Sequence, residues 1–323
     1  MRLSLLSAGA LAAVVCLTPA VTTAQAGGPA PAQRRTASSS LQGIWNYSSL
    51  TPVERPAEFA GKPTLTPQEA AAYVKTLTDR NNTDRRDVSK DTDVARGYNN
   101  FWWDRGSGLA VVDGWARTSL VSDPADGRIP SLTPDGQRRQ NERNQARAEH
   151  PADGPEDRSL AERCLSFNAG PPMLPGPYNN YVQILEFTDH VVISNEMIHD
   201  ARIVSLTRRE HLPQTIRRYQ GDSIGKWNGR TLVVDTTNFT DKTNFRGAGD
   251  ALHLVERFTR VDPDTLLYEF TVTDPSSFTR PWSVTLPIRR SDEQIYEYAC
   301  HEGNHAMSGI LRGARDEERQ KKP

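Results

Sequence analysis

Glu196, His199, Asp200 and Arg202 bring together, within one short segment, the side chains that acid–base chemistry needs. A carboxylate can take a proton, an imidazole titrates near neutrality, and a guanidinium can clamp a substrate carboxylate through parallel hydrogen bonds. The apolar run Val191-Val192-Ile193 leads straight into them. If that strand continues unbroken, alternation puts Glu196, Asp200 and Arg202 on one face and His199 on the other. The same residues also read as structure: Arg202 paired with Glu196 or Asp200 on a solvated face, or Met197 to Asp200 as a turn that Asp200 caps. His199 serves equally well as a hydrogen-bonded structural histidine.

His301-Glu302-Gly303-Asn304-His305 spells H-E-x-x-H, in which two histidines on one helix face hold zinc while the glutamate polarises water. Here it follows a strand expected to end in Tyr298-Ala299-Cys300, and Gly303 and Asn304 are poor interior helix formers. The segment reads as a strand-to-helix junction capped by Asn304, which splays His301 from His305. A metal-dependent hydrolase using His301, Glu302 and His305 is therefore the lesser alternative, and no metal is assigned. His301 and Glu302 instead join the acid–base group if the last strand runs alongside it.

Asn179, Asn180 and Asn238 stand beside Tyr178, Tyr181 and Phe239. Amides next to aromatic rings orient a neutral polar ligand, and they are as common in turns, which Gly176-Pro177 favours for the first pair. Trp102 and Trp103 offer faces for a sugar or an aromatic ligand, or else anchor an insertion. The chain has no phosphate-cradling loop, dinucleotide fingerprint, Gly-x-Ser-x-Gly elbow or heme-attachment Cys-x-x-Cys-His, so no organic cofactor is expected.

Positioning these residues is the work of a β-rich chain. Leu41 to Tyr47 is a short strand, and Leu65-Thr66-Pro67-Gln68-Glu69 opens a helix with Thr66 as N-cap, Pro67 in the first turn and Glu69 completing a capping box. Residues 79–97 and 123–160 are polar insertions, the second containing a polar helix from Asp135 to Glu149. Strands follow at Tyr181 to Glu186, Val191 to Asn195 and Ala201 to Leu206. Asn228-Gly229 between extended runs predicts a type I′ turn joining Tyr219–Trp227 to Thr231–Thr236. A second hairpin joins Leu252–Val261 to Leu266–Thr273 across Asp262-Pro263-Asp264. Trp282 to Arg289, Ile295 to Cys300 and a terminal helix from Asn304 to Glu318 complete the series. About ten strands joined by short turns argue for an antiparallel meander curled into a barrel, with a two-sheet sandwich as the alternative.

The first 26 residues carry a positive start (Met1-Arg2), an apolar run from Leu3 to Leu17 and a small-residue cut site, Ala24-Gln25-Ala26. That order is a secretory signal peptide whose apolar core is too short to span a bilayer, and Val15 before Cys16 argues against lipid attachment. A linker of small and polar residues, 27–40, precedes one domain from 41 to 323. The remaining cysteines, Cys164 and Cys300, are an even pair in an oxidising compartment and predict a disulfide. A formal net charge of −1 offers no electrostatic attraction to nucleic acid or to an anionic membrane.

Gly43-Ile44-Trp45 at the first strand resembles the Gly-x-Trp opening of lipocalin-like, or calycin, barrels, which implies a tryptophan plugging the closed end of an eight-stranded ligand cup. The run Pro177–Tyr181, Glu196–Arg202, Thr237–Asp241 and Cys300–Asn304 is similar to a family of uncharacterised exported bacterial β-rich proteins, a resemblance that implies no mechanism. The expected function is an exported barrel, periplasmic or secreted, that handles a small apolar or aromatic molecule. The chemistry is cofactor-free acid–base catalysis of a lyase, isomerase or hydrolase kind, by His199 with Glu196 or Asp200 and oriented by Arg202. Binding without turnover is the alternative.

Overall fold

Apolar and polar side chains alternate through most of the second half of the chain, and in a computed structural model, which describes residues 40–82, 103–167, 170–243 and 245–321, that alternation becomes a barrel wall. In chain order the elements are β1 (Gly43–Asn46), β2 (Thr64–Leu65), α1 (Pro67–Asn81), β3 (Val111–Val112), β4 (Trp115–Arg117), β5 (Val121–Asp123) and α2 (Pro134–Glu149). Then come β6 (Tyr181–Glu186), β7 (His190–Asn195), β8 (Ala201–Ser205), β9 (Asp222–Asn228), β10 (Thr231–Thr237), β11 (His253–Asp262), β12 (Thr265–Thr273), β13 (Trp282–Ser291) and α3 (Ala306–Lys321).

Among the described residues nine strands close in the order β1-β6-β7-β8-β9-β10-β11-β12-β13, and β1 pairs with both β6 and β13 to seal the ring. β5 adds to the outer stretch of β13, and β2, β4 and β3 form a separate small sheet. β1, only four residues long, holds its place because it is paired along both sides, to β6 and to β13. The ladders are antiparallel except β8–β9, which is parallel and meets at the single pair Ser205↔Ile224. The expected antiparallel meander is thus a mixed barrel. A parallel neighbour cannot be reached by a tight hairpin, so residues 206–221 cross over outside the wall.

Inward positions of β11, β12 and β13 place Phe258, Tyr268, Phe270, Trp282 and Leu286 in the interior, all essentially buried. Trp45 on β1 is fully buried, its ring faced by the guanidiniums of Arg260 at 5.3 Å and Arg290 at 6.0 Å. The rings of Phe258, Tyr268, Phe270 and Trp282 pack against one another in this core.

Three local expectations shift. Asn228 pairs with Thr231, so the β9–β10 loop is Gly229-Arg230 rather than Asn228-Gly229, with Gly229 at φ +58°. The stretches 109–112 and 116–121, whose composition is strand-like, form only the short β3 and β4 and the start of β5. Residues 295–300, expected as a strand, form none: with the ring already closed they lie against the turn after β7, where Tyr296 N–H donates to Glu196 Oε1 at 3.2 Å. α1 carries the Thr66–Glu69 capping box, and Cys164 and Cys300 form a disulfide across 136 residues, their Cα atoms 5.7 Å apart. No helix among the described residues is long and apolar enough to cross a membrane.

Candidate functional site

Where β8 and β9 diverge from their single pairing, a cleft of about 670 Å³ opens. Asp200, Arg202 and Ile203 contribute from the β8 side, Gln220 and Asp222 from the β9 side, and Arg208, Leu212, Arg218 and Tyr219 from the crossover. The wall is amphipathic: Ile203 points outward and is 66% exposed, an apolar surface beside carboxylate and guanidinium groups.

Asp200 brings a half-buried carboxyl to this cleft. Burial pushes its pKa above the ordinary aspartate value, against hydrogen bonding to Gln220 and the positive charge of Arg202. Arg202 faces the barrel interior, where Nη2 donates to Glu256 Oε1 at 3.0 Å and Nη1 donates to Oε2 of the same carboxylate. Tyr268 Oη donates to Glu256 Oε1 at 2.7 Å and accepts from Met173 N–H at 3.1 Å. Burial alone would lower the Arg202 pKa, but the Glu256 carboxylate outweighs it, so the guanidinium stays charged. Burial and the same carboxylate push the Tyr268 phenol up. Arg202 is thus committed to Glu256. Arg218 is exposed on the crossover and meets no carboxylate among the described residues.

A second network braces the cleft's outer wall. On the outward faces of β9, β10 and β11, Asp222 accepts from Arg208 Nη2 at 2.8 Å and from Leu212 N–H at 3.1 Å. His211 stands between carboxylates, Nδ1 at 3.1 Å from Asp222 Oδ2 and Nε2 at 2.9 Å from Asp235 Oδ1, and His253 Nε2 lies 3.1 Å from both oxygens of Asp235. Burial would raise the Asp222 pKa, but hydrogen bonds from Arg208, Leu212 and His211 bring it down to about 2. Hydrogen bonding to His253 holds Asp235 below the usual range, and the same contact raises the His253 pKa. No local pattern in the sequence marks this group, because its members are spread from 208 to 253. The alternation that puts Asp222 and Asp235 outside the barrel was the signal available.

The other sequence-derived candidates lie elsewhere. The strand breaks after Asn195: Glu196 and Met197 turn, Ile198 and His199 have φ of 58° and 43°, and β8 restarts at Ala201. Glu196, Asp200 and Arg202 therefore do not share one strand face. Glu196 is buried beside Tyr47, whose phenol is pushed up by burial and by the Glu196 charge. His199 is exposed next to Asp200, with Nδ1 3.0 Å from the Tyr298 carbonyl oxygen. His301 and Glu302 are exposed in the turn before α3 and do not line the cleft.

Asn180 is buried as a loop brace: its Oδ1 accepts from Gly176 N–H at 2.7 Å and its Nδ2 donates to Asp104 O at 2.9 Å. Asn179 sits in the preceding left-handed turn at φ 53°, and Tyr181 Oη donates to Glu293 Oε2 at 2.9 Å. Asn238 Nδ2 donates to Leu212 O at 2.9 Å, fixing the crossover from behind. Trp103 is partly exposed with the Arg105 guanidinium 4.2 Å from its ring centre, and Trp102 lies outside the described residues. Among the described residues no group of three or more His, Cys, Asp or Glu side chains is arranged to hold a metal ion. Comparisons with protein families, with curated proteins and with solved structures found no match to this chain.

Proposed function

We propose that this chain is an exported barrel protein that takes a small, partly apolar molecule into the β8–β9 cleft and exchanges a proton with it through Asp200. The observation that carries this reading is the Asp200 carboxyl itself, held above its ordinary pKa by burial yet opening on a cleft with an exposed apolar wall. A carboxyl nearer neutrality is a better acid–base catalyst than one that is always ionised. Ile203 and Leu212 supply apolar contact, and Arg218 supplies a positive charge for a carboxylate or another polar end of the ligand. His199 adjoins Asp200 in the chain and serves as its exchange partner with solvent. The reaction class is lyase, isomerase or hydrolase chemistry without an organic cofactor. The leader-like first 26 residues and the Cys164–Cys300 bridge support export.

Binding without turnover is the second reading, favoured by the exposed Ile203 wall, which needs no chemistry to be useful. One experiment addresses both. The mature chain is screened by ligand-observed NMR against aromatic and short aliphatic carboxylic acids and their amides, with each mixture followed for conversion. Saturable binding that is lost in Asp200→Asn and weakened in Arg218→Ala is expected, with conversion under the first reading and none under the second. Binding that survives both substitutions, or no binding across the set, overturns the assignment of the cleft.

A further inference from the structure

Away from the cleft, two adjoining depressions of about 270 and 320 Å³ lie between α2, residues 155–163 and residues 241–243 and 245–246, and both are lined by Arg147, Leu160 and Lys242. We infer that this groove is a second binding site, for a small molecule carrying a phosphate or sulfate ester.

The first argument is the charge balance. In the smaller depression the carboxylate of Glu156 is already taken by Arg163 at 2.6 Å and Lys242 at 3.3 Å, and Asp157 accepts from Gly154 N–H at 2.7 Å. Arg143 donates to the backbone oxygen of Asp241 at 3.0 Å, and Asp241 also lines this depression. The larger depression is lined by Arg147, Lys242 and Arg246 and by no carboxylate. Arg147 and Arg246 meet no acidic side chain among the described residues. An ester oxyanion supplies negative charge to Arg147 and Arg246 through charge-assisted hydrogen bonds.

The second argument is shape. The larger depression also has Phe167, Phe245, Pro171 and Pro172 along its wall, an apolar surface that a free inorganic ion does not use but a sugar ring or other organic body does. Part of the basic character has a simpler cause, since cations in the last turns of α2 complement its C-terminal dipole. That accounts for Arg143 and Arg147. It does not account for Arg246, which lies outside α2 in a left-handed turn at φ 52°, while Lys242 already pairs with Glu156.

The test is calorimetric titration of the mature chain at low ionic strength with four probes: inorganic phosphate, inorganic sulfate, glucose 6-phosphate and glucose 6-sulfate. Saturable binding of at least one ester, tighter than of its inorganic ion, is expected, and comparing the two ester arms identifies the preferred oxyanion. Both arginines are exposed, so Arg147→Ala and Arg246→Ala should keep the fold, checked by unchanged thermal melts, and each should weaken binding by about tenfold. Arg218→Ala, in the β8–β9 cleft, should leave it unchanged, which separates this site from the first. No saturable binding by any probe, or ester binding untouched by either groove substitution, overturns the proposal.

Discussion

Arg202 and Glu256 meet inside the barrel from strands far apart in sequence, and the contact is bidentate, with Tyr268 completing it. Such a pair contributes little net stability when intact, because desolvation offsets the attraction, but breaking it on one side strands a charge in the core. Arg202→Met should therefore destabilise the fold by about 3–5 kcal/mol in urea unfolding, and Arg202→Met with Glu256→Leu should recover much of the loss. A single substitution that leaves the midpoint unmoved contradicts this account. The His211–Asp235–His253 group has its own signature. Asp222 is depressed from 3.8 to about 2, so its contribution is full above 3.8 and disappears as pH falls through about 2. Asp235, also depressed, follows the same direction. His253 is raised above 6.5, so its contribution is full below 6.5 and disappears as pH rises through the folded-state value. Stability from this network should thus be greatest between about pH 4 and 6.5. In His253→Gln the fall of unfolding free energy above pH 6.5 should flatten relative to the parent, and a parallel fall in both proteins rejects the assignment.

The decisive element is the crossover between β8 and β9, since it builds the cleft wall and carries His211, Arg208 and Arg218. It returns to the barrel through Gly221, at φ +69°, where an added Cβ would sit 2.5 Å from the Thr237 carbonyl oxygen. Gly229, at φ +58° in the β9–β10 loop, has open space instead. Gly221→Ala should accordingly cost about 2 kcal/mol or more, and Gly229→Ala about 1 kcal/mol, in the same denaturation assay. Equal effects would mean that the close approach at Gly221 relaxes freely. Most elements could be read from local pattern. The capping box at Thr66, the polar helix after Thr133 and the two hairpins of the second half depend on neighbours within a few residues. The segment 295–300 has strand-like composition, but an edge must be free for a strand to pair, and β1 had already taken the gap between β6 and β13. The residues after Asn195 suit either a continuing strand or a turn, and the left-handed backbone at Ile198 and His199 decides for the turn.

At the scale of the molecule, the Cys164–Cys300 bridge closes a loop that contains every strand from β6 to β13. Restricting so long a loop in the unfolded chain stabilises the native state by about 3–5 kcal/mol on the chain-entropy account. The Cys164→Ser/Cys300→Ser double substitution should lose stability of that order in urea unfolding, and an unchanged midpoint would show that the unfolded chain is already compact there. Taken by itself, the amino-acid sequence determined what depends on near neighbours: β character, helix starts, turn sites and the inward or outward alternation along each strand. The even cysteine pair likewise announced its bridge. Which side chains share a site was decided by closure of the ring. Asp200 meets Gln220, Arg202 meets Glu256, and His211 stands between Asp222 and Asp235 because strand order and the parallel β8–β9 step bring distant positions together. Those distances are set by long-range pairing, whose cost and reward are distributed over the whole barrel and leave no mark on any short stretch of residues.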